Sequence, residues 1–348
     1  MAHPKLEYTK TEVNKAGGIL SNFSGDVEWE KLDWALDVLS NWRGCHSYPV
    51  NTFQATLRSK LKFIDSTALV AQRLKRTPSV ILKLRRFNRM QLSRMQDIGG
   101  LRAVVKNLRG LRALEKAYTR SNRFSHELVS TKDYVTNPKA DGYRSIHIVY
   151  RYKNLKNSMY DGLQIELQMR TRLQHSWATA VETIGIMTNQ ALKSNQGTPE
   201  WLDFFRSVGA AFALMEKTPL IPGFEEIPEK KIRTLVEQQE NKLHVLERLE
   251  GFSKAVHISG SNSRGKYQLI VLNSQTKEVK VTSFSENQLE EAKDSYMSEE
   301  KKAQLGVPLE VVLVSTGSIG ALKKAYPNYF LDTHDFIRNV RKFIDASK

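Results

Sequence analysis

Apolar side chains recur at helical spacing over residues 30–43, where Leu32, Trp34, Leu36, Leu39 and Trp42 interrupt charged and polar positions. Residues 52–74 continue the same period with Phe53, Leu57, Leu61, Ile64, Leu69 and Leu74, which predicts a second helix. Thr77-Pro78-Ser79 is a helix-start signal, a capping candidate followed by proline in the first turn. The helix it opens is expected over about residues 79–95, with Ile81, Leu82, Leu84, Phe87, Met90 and Leu92 inside and basic residues outside. The period then shortens. Residues 101–105 read as a strand entered through Gly99-Gly100, 110–121 as a helix, and 127–130, 145–152 and 163–169 as three further strands. Residues 172–187, 199–216 and 225–250 read as helices, the last two joined by the turn-rich segment 218–223. Strands interleaved with helices predict an α/β fold, a mixed sheet flanked by helices.

From about residue 254 the texture changes. Residues 256–259, 267–272 and 278–284 predict an antiparallel meander, 286–304 a charged helix, 309–315 an apolar strand and 321–346 a helix. A boundary is therefore expected at Glu250-Gly251. The larger domain, 1–250, includes the N-terminal helices and the helical segment 199–250; a smaller α+β domain covers 251–348. A chain of 348 residues suits two or three domains. No run approaches the roughly 18 apolar residues that span a bilayer, and the first residues lack a signal-peptide core, so a cytoplasmic location without membrane attachment is expected. Cys45 is the only cysteine, which excludes an internal disulfide and any zinc site with two thiolates.

Charge sharpens the picture. Residues 1–156 carry 29 basic and 13 acidic side chains, and residues 157–348 carry 24 of each, so the whole net charge of +16 lies in the first part. Such an excess suits a polyanion (nucleic acid, nucleotide or anionic lipid), and also suits a plain solvated surface. Its densest stretch, Arg73 to Arg94, holds eight basic residues (Arg73, Lys75, Arg76, Lys83, Arg85, Arg86, Arg89, Arg94) and no acid. Lys75, Ser79 and Lys83 are spaced by four and share a face if helical. Clustered cations repel one another unless an anion lies among them, and a triphosphate would serve.

Asp97 follows at once, ahead of Gly99-Gly100 and Arg102. An acid among cations at a strand entry suits a Mg²⁺ ion bridging phosphates. In Gln164-Ile-Glu166-Leu-Gln168-Met-Arg170 the polar side chains share one strand face and the apolar ones the other. That polar face is either half-exposed or lines a site. Glu166, its only acid, would join Asp97 at the metal or accept a proton from a hydroxyl. Lys139-Ala-Asp-Gly142-Tyr143-Arg144-Ser145-Ile-His147 is a loop entering a strand, with a ring that can stack on a base, cations for phosphate, and a histidine.

In this order, Arg73-x-Lys75-x-x-x-Ser79-x-x-x-Lys83, Asp97-Ile-Gly-Gly-Leu-Arg102, Lys139-x-x-Gly142-Tyr143-Arg144-Ser145-x-His147 and Glu166-Leu-Gln168-Met-Arg170 resemble the RelA/SpoT synthetase domain over residues 50–190. The resemblance implies a nucleotidyltransferase-like fold and an ATP-dependent pyrophosphokinase, which moves pyrophosphate from ATP to a ribose 3′-hydroxyl. It places Arg73, Lys75, Ser79, Lys83 and Arg102 at ATP, and Asp97 and Glu166 at Mg²⁺. It makes Glu166 the activator of the attacking hydroxyl. Tyr143 would stack on the acceptor base, with Lys139, Arg144, His147, Gln168 and Arg170 nearby.

Within that family the acceptor is GDP or GTP, an adenine nucleotide, or the 3′-terminal adenosine of tRNA in toxic members. The confined charge and the C-terminal module favour tRNA. Tyr326-Pro-Asn-Tyr329 in a β-rich module resembles the CapRel group of fused toxin–antitoxins of phage defence. That resemblance implies a zinc-less, zinc-finger-like antitoxin domain whose Tyr326 and Tyr329 cover the ATP site until a phage protein, typically a capsid protein, binds it. Two other readings stand beside this one: an alarmone synthetase with a regulatory C-terminal domain, and a non-catalytic RNA- or ribosome-binding module.

Overall fold

Thr9 opens the first helix by a reciprocal cap: its hydroxyl accepts from Glu12 N, while the Glu12 carboxylate accepts from Thr9 N at 2.8 Å. This helix, α1 (Lys10–Ser21), was not among the expected elements; the Thr9-x-x-Glu12 spacing was its signal. The computed structural model describes residues 4–22, 29–120, 124–155, 158–188, 190–192, 195–259, 265–273, 276, 278–304, 307, 309–315 and 329–346. It forms two compact units, residues 1–134 with 145–171, and residues 135–144 with 172–348.

The first unit contains α1, α2 (Trp29–Cys45), α3 (Ser47–Ile64), α4 (Thr77–Arg86) and α5 (Leu108–Thr119). Its strands are β1 (Leu69–Leu74), β2 (Gly99–Val105), β3 (Glu127–Asp133), β4 (Ile146–Arg151) and β5 (Gln164–Thr171). They form one mixed sheet in the order β1-β2-β5-β4-β3, with β2 and β5 parallel and the other pairs antiparallel. The expected mixed sheet flanked by helices is the fold observed.

Two expected helices are shorter than their periodicity suggested. The helix expected over 52–74 stops at Ile64. The Asp65 carboxylate accepts from Thr67 N and from Lys106 N, a turn that redirects the chain into edge strand β1. The helix expected over 79–95 starts at Thr77 and stops at Arg86. After it, Met90 N donates to Phe87 O at 2.7 Å and closes a turn.

One face of the sheet is apolar, with Leu101, Ala103, Ile148, Tyr150, Ile165, Leu167 and Met169 buried on the side of α3 and α5. Phe53 of α3 meets Tyr150 at 5.8 Å between ring centroids, and the Tyr150 hydroxyl donates to Tyr118 O of α5. Gly99 lies where α3 presses on this face. A Cβ there would stand 2.8 Å from Val50 Cγ2 and 3.0 Å from Ile165 Cδ1, so no larger residue fits without a shift. The opposite face carries the polar side chains.

The second unit contains α6 (Arg172–Met187), α7 (Pro199–Glu216), α8 (Glu229–Leu243), α9 (Val245–Ser259), α10 (Leu289–Gln304) and α11 (Tyr329–Asp345). Strands β6 (Tyr267–Asn273), β7 (Val279–Phe284) and β8 (Leu309–Ser315) form an antiparallel sheet in the order β7-β6-β8. The helix expected over 225–250 is broken at His244, which adopts a left-handed conformation (φ 50°) between α8 and α9. Residues 256–259, expected as a strand, are the end of α9. The expected boundary at Glu250-Gly251 thus falls inside a helix. Phe336, Ile337, Val340 and Phe343 of α11 share one core with Trp177, Trp201, Phe204, Phe212 and Leu249, so α11 groups with α6–α9. Among the described residues no helix is long and apolar enough to cross a membrane.

Phe336 is fully buried in this core, with its ring 5.7 Å from that of Phe212. Phe336→Ala is expected to destabilise the second unit by about 3–5 kcal/mol, the usual cost of deleting a buried ring. Denaturant unfolding followed by tryptophan fluorescence in a chain with Trp29, Trp34 and Trp42 replaced by phenylalanine, which leaves Trp177 and Trp201 as reporters, checks this; an unchanged midpoint would show that α11 is dispensable to that core.

Candidate active site

Lys75 follows β1 and Asp97 precedes β2, so the β1–β2 ladder carries both residues to the same edge; Lys75 N extends the ladder by donating to Ile98 O at 2.8 Å. Lys83 reaches Asp97 from α4, one helix away. The two ammonium groups clasp the carboxylate, Lys75 Nζ donating to Oδ2 and Lys83 Nζ to Oδ1, each at 2.8 Å. All three side chains are largely withdrawn from water, at 11, 28 and 19% exposure for Lys75, Lys83 and Asp97. Burial alone would raise the Asp97 carboxyl; the two ammonium groups outweigh it and hold it down at about 2.

The second carboxylate is built on β5. The strict alternation expected for this strand is observed: Ile165, Leu167 and Met169 are buried on the helix side, and Gln164, Glu166 and Gln168 take the other face. Register across the sheet places Arg73, Gly100 and Glu166 in one row. Ala71, Arg102, Gln168, His147 and Lys132 form the next. Between these rows His147 Nδ1 donates to Glu166 Oε1 at 2.9 Å, and Gln168 Nε2 donates to Oε2 at 2.8 Å. Burial pushes the Glu166 carboxyl up, as does the charge of Asp97, but the His147 and Gln168 hydrogen bonds outweigh both and leave it below the usual carboxylate range. An ionised carboxylate only accepts, so His147 carries its proton on Nδ1 and Gln168 turns its amide nitrogen inward. Tyr134 packs edge-on against the His147 ring at 5.4 Å.

The first unit therefore brings together Arg73, Lys75, Lys83, Asp97, Arg102, His147, Glu166 and Gln168 on one sheet face and the adjoining edge of α4. Arg102 and Arg170 are buried, whereas Arg73 and Ser79 are exposed. The remaining expected residues, Lys139, Tyr143 and Arg144, belong to the second unit. There Lys139 Nζ stands 5.1 Å from the centre of the Tyr143 ring. Gly142 turns the loop through φ +92°, and Gly209 of α7 comes so near that a Cβ on Gly209 would lie 2.8 Å from the Gly142 Cα. Arg144 departs from the acceptor role expected for it. It is buried, and its guanidinium donates to Thr218 Oγ1 at 2.8 Å and Pro219 O at 2.6 Å, pinning the segment after α7. Tyr326 lies outside the described residues, and Tyr329 is the first residue of α11.

Sequence reading missed Arg43. From the last turn of α2 its Nε donates to Lys75 O at 2.6 Å and its Nη1 to Thr77 Oγ1 at 3.1 Å, fixing the corner that aims Lys75 and starts α4. Nothing local marks it, because the contact spans 32 residues of chain.

Two ionised carboxylates ringed by cations on a sheet face form a surface suited to phosphorylated ligands. No group of three or more His, Cys, Asp or Glu side chains that could hold a metal occurs among the described residues. A pair of carboxylates is nevertheless the donor set expected for Mg²⁺, which completes its shell with water and substrate phosphates.

Residues 72–187, a third of the chain, match the family described as "Region found in RelA / SpoT proteins". The GTP pyrophosphokinase YjbM of Bacillus subtilis is 30% identical over 112 residues, 32% of this chain and 52% of that protein. The uncharacterised protein Rv1366 of Mycobacterium tuberculosis is 29% identical over 137 residues, 39% of this chain and 46% of that one. The chain thus spans about half the length of the curated relatives it matches. The solved small alarmone synthetase 1 of Bacillus subtilis bound to its product pppGpp aligns with a TM-score of 0.43 at 22% identity, covering 50% of this chain and 90% of that chain.

The Asp97 clasp makes a pH prediction. Its carboxyl lies below the unfolded value of about 3.9, so its contribution to stability is complete above that pH and is lost as pH falls towards 2. The amount is about 2 kcal/mol. The stability gap between the native chain and Asp97→Asn, measured by urea unfolding, is expected to be widest at pH 5 and to shrink towards pH 2. A gap independent of pH would contradict the clasp.

Proposed function

We propose that the chain is an ATP-dependent pyrophosphokinase whose acceptor is the 3′-terminal adenosine of tRNA, and that residues 251–348 restrain it until a phage protein binds them. The observation that carries the transferase reading is the pairing of the clasped Asp97 with Glu166, which His147 and Gln168 hold on the adjoining strand. The RelA/SpoT match over residues 72–187 and the pyrophosphokinase name of a relative support it.

The reaction in this reading balances as follows. The 3′-hydroxyl of the acceptor ribose gives its proton to Glu166, which is ionised and so in the accepting form. The freed oxygen attacks the β-phosphorus of ATP, the α–β phosphoanhydride bond breaks, and AMP leaves. Phosphoryl chemistry of this kind depends on alignment and on neutralising charge. Lys75 and Lys83 exchange Asp97 in part for the phosphates, Arg73 and Arg102 meet the same anion, and Ser79 adds a hydroxyl. Asp97 and Glu166 are the groups that would hold Mg²⁺, which when bound screens the triphosphate. Tyr143, with Lys139 over its ring, offers a face to the acceptor base, and Arg170 is a further member of the acceptor set.

The confined excess of basic charge favours tRNA over a mononucleotide, because a polyanion engages more cations than a single nucleotide can. A guanine nucleotide is the second reading, favoured by the GTP pyrophosphokinase relative. In the toxin–antitoxin reading Tyr326 and Tyr329 act as a tethered latch, which closes a site even when the contact itself is weak.

One assay tests these assignments. The full chain is incubated with γ-labelled ATP and either tRNA or GDP, alongside Tyr326→Ala with and without Glu166→Gln. With the latch opened by Tyr326→Ala, label is expected on tRNA, falling by about 10²–10⁴-fold when Glu166→Gln is added, the usual value of a positioned proton acceptor. Without any trigger, label should be higher in Tyr326→Ala than in the native chain. Label on GDP alone rejects the tRNA acceptor; full activity after Glu166→Gln is added rejects the proton acceptor; an unchanged Tyr326→Ala rejects the latch.

A further inference from the structure

The site uses three cations of the Arg73–Arg94 run and leaves the end of α4 unexplained. Val80 and Leu84 bury the inner face of this helix, while Leu82 is 65% exposed and Phe87, at its C-cap, is 47% exposed. Arg86 lies one turn beyond Leu82 on the same face, and its guanidinium stands 5.5 Å from the centre of the Phe87 ring. The turn closed by Met90 N on Phe87 O carries Arg89, also exposed. Arg85 has a different task, donating to Ser21 O of α1 at 3.2 Å.

Cations in the last turn of a helix need no ligand, since they complement its negative pole for roughly 0.3–1 kcal/mol each. That argument does not reach Arg89, which lies past the helix end, and it does not explain a phenylalanine and a leucine held in water between arginines. A surface that only kept the chain in solution would carry polar groups there. Exposed aromatic faces interleaved with arginine are the means by which proteins hold unpaired nucleotides: the ring stacks on a base and the guanidinium groups track the phosphates. Lys83, which clasps Asp97, lies on the same short helix, so a strand on this surface would run on towards the candidate active site.

We propose that Leu82, Arg86, Phe87 and Arg89 form a binding surface for an unpaired stretch of RNA. One ring and one leucine offer too little apolar area for insertion into a bilayer, which argues against a lipid surface. The inference extends the RNA-acceptor reading above and rests on it for the choice of tRNA as probe.

The test is direct binding of the full chain to fluorescein-labelled deacylated tRNA, followed by anisotropy over a series of salt concentrations. Phe87→Ala is expected to weaken binding roughly tenfold, within the 1–3 kcal/mol that one stacked base contributes. Arg86→Gln with Arg89→Gln should lower the slope of log affinity against log salt by about one to two. Both variants alter exposed positions, so thermal unfolding should match the parent, and binding of a non-hydrolysable ATP analogue should be unchanged. The surface is overturned if the native chain does not bind tRNA, if Phe87→Ala binds tRNA as tightly as the parent, or if phosphatidylserine vesicles are bound and tRNA is not. Failure of the transferase reading shows separately, as absence of ATP-analogue binding by Tyr326→Ala, in which the proposed latch is open.

Discussion

A single carboxylate held between two ammonium groups organises the first unit. Asp97 ties together three elements: the end of β1 through Lys75, helix α4 through Lys83, and the entry to β2 on which it stands. Breaking one member of a largely buried ion pair leaves the others uncompensated, which typically costs several kcal/mol. The arrangement also stores function. Two lysines already gathered around one anion need little rearrangement to receive a second, and the cost of assembling them is met by the fold. Arg43 adds a backbone brace by fixing Lys75 O and Thr77 Oγ1.

Glu166 shows the complementary arrangement. Its two oxygens accept from His147 and Gln168, its neighbours in the β4–β5 ladder, and it feels the charge of Asp97 across β2. Pleating gives these side chains a common face, and register sets them in adjacent rows. Rigid strands rather than loops therefore set the spacing of the polar groups, and the apolar face against α3 and α5 holds the sheet to that register.

Much of this was legible before any coordinates. The alternation over residues 164–170 announced a polar face with one acid, and the run of cations from Arg73 announced a cationic edge, although Lys75 precedes α4 and shares no helical face with Ser79 and Lys83. Less legible were features decided by tertiary contact. Leu69 and Leu74 continue a helical period, yet they lie on a strand because the Asp65 turn and pairing with β2 override local preference. Arg144 sits in a motif rich in polar residues, but its guanidinium is spent on Thr218 and Pro219, 74 and 75 residues further along the chain. The apolar residues of α11 match an amphipathic helix in any fold; only packing reveals that Phe336 completes the core of α6–α9. The capping box at Thr9 and Glu12 was readable and went unread.

The central claim is that Asp97 and Glu166 act together on a metal-bound triphosphate. Its most direct test is calorimetric titration of the full chain carrying Tyr326→Ala, so that the latch is open, with a non-hydrolysable ATP analogue, with and without Mg²⁺, beside the same chain with Asp97→Asn and Glu166→Gln added. The account predicts that Mg²⁺ strengthens analogue binding to the opened chain roughly tenfold or more, about 1.4 kcal/mol, and has no such effect once Asp97 and Glu166 are replaced. Equal enhancement by Mg²⁺ in both proteins would contradict it.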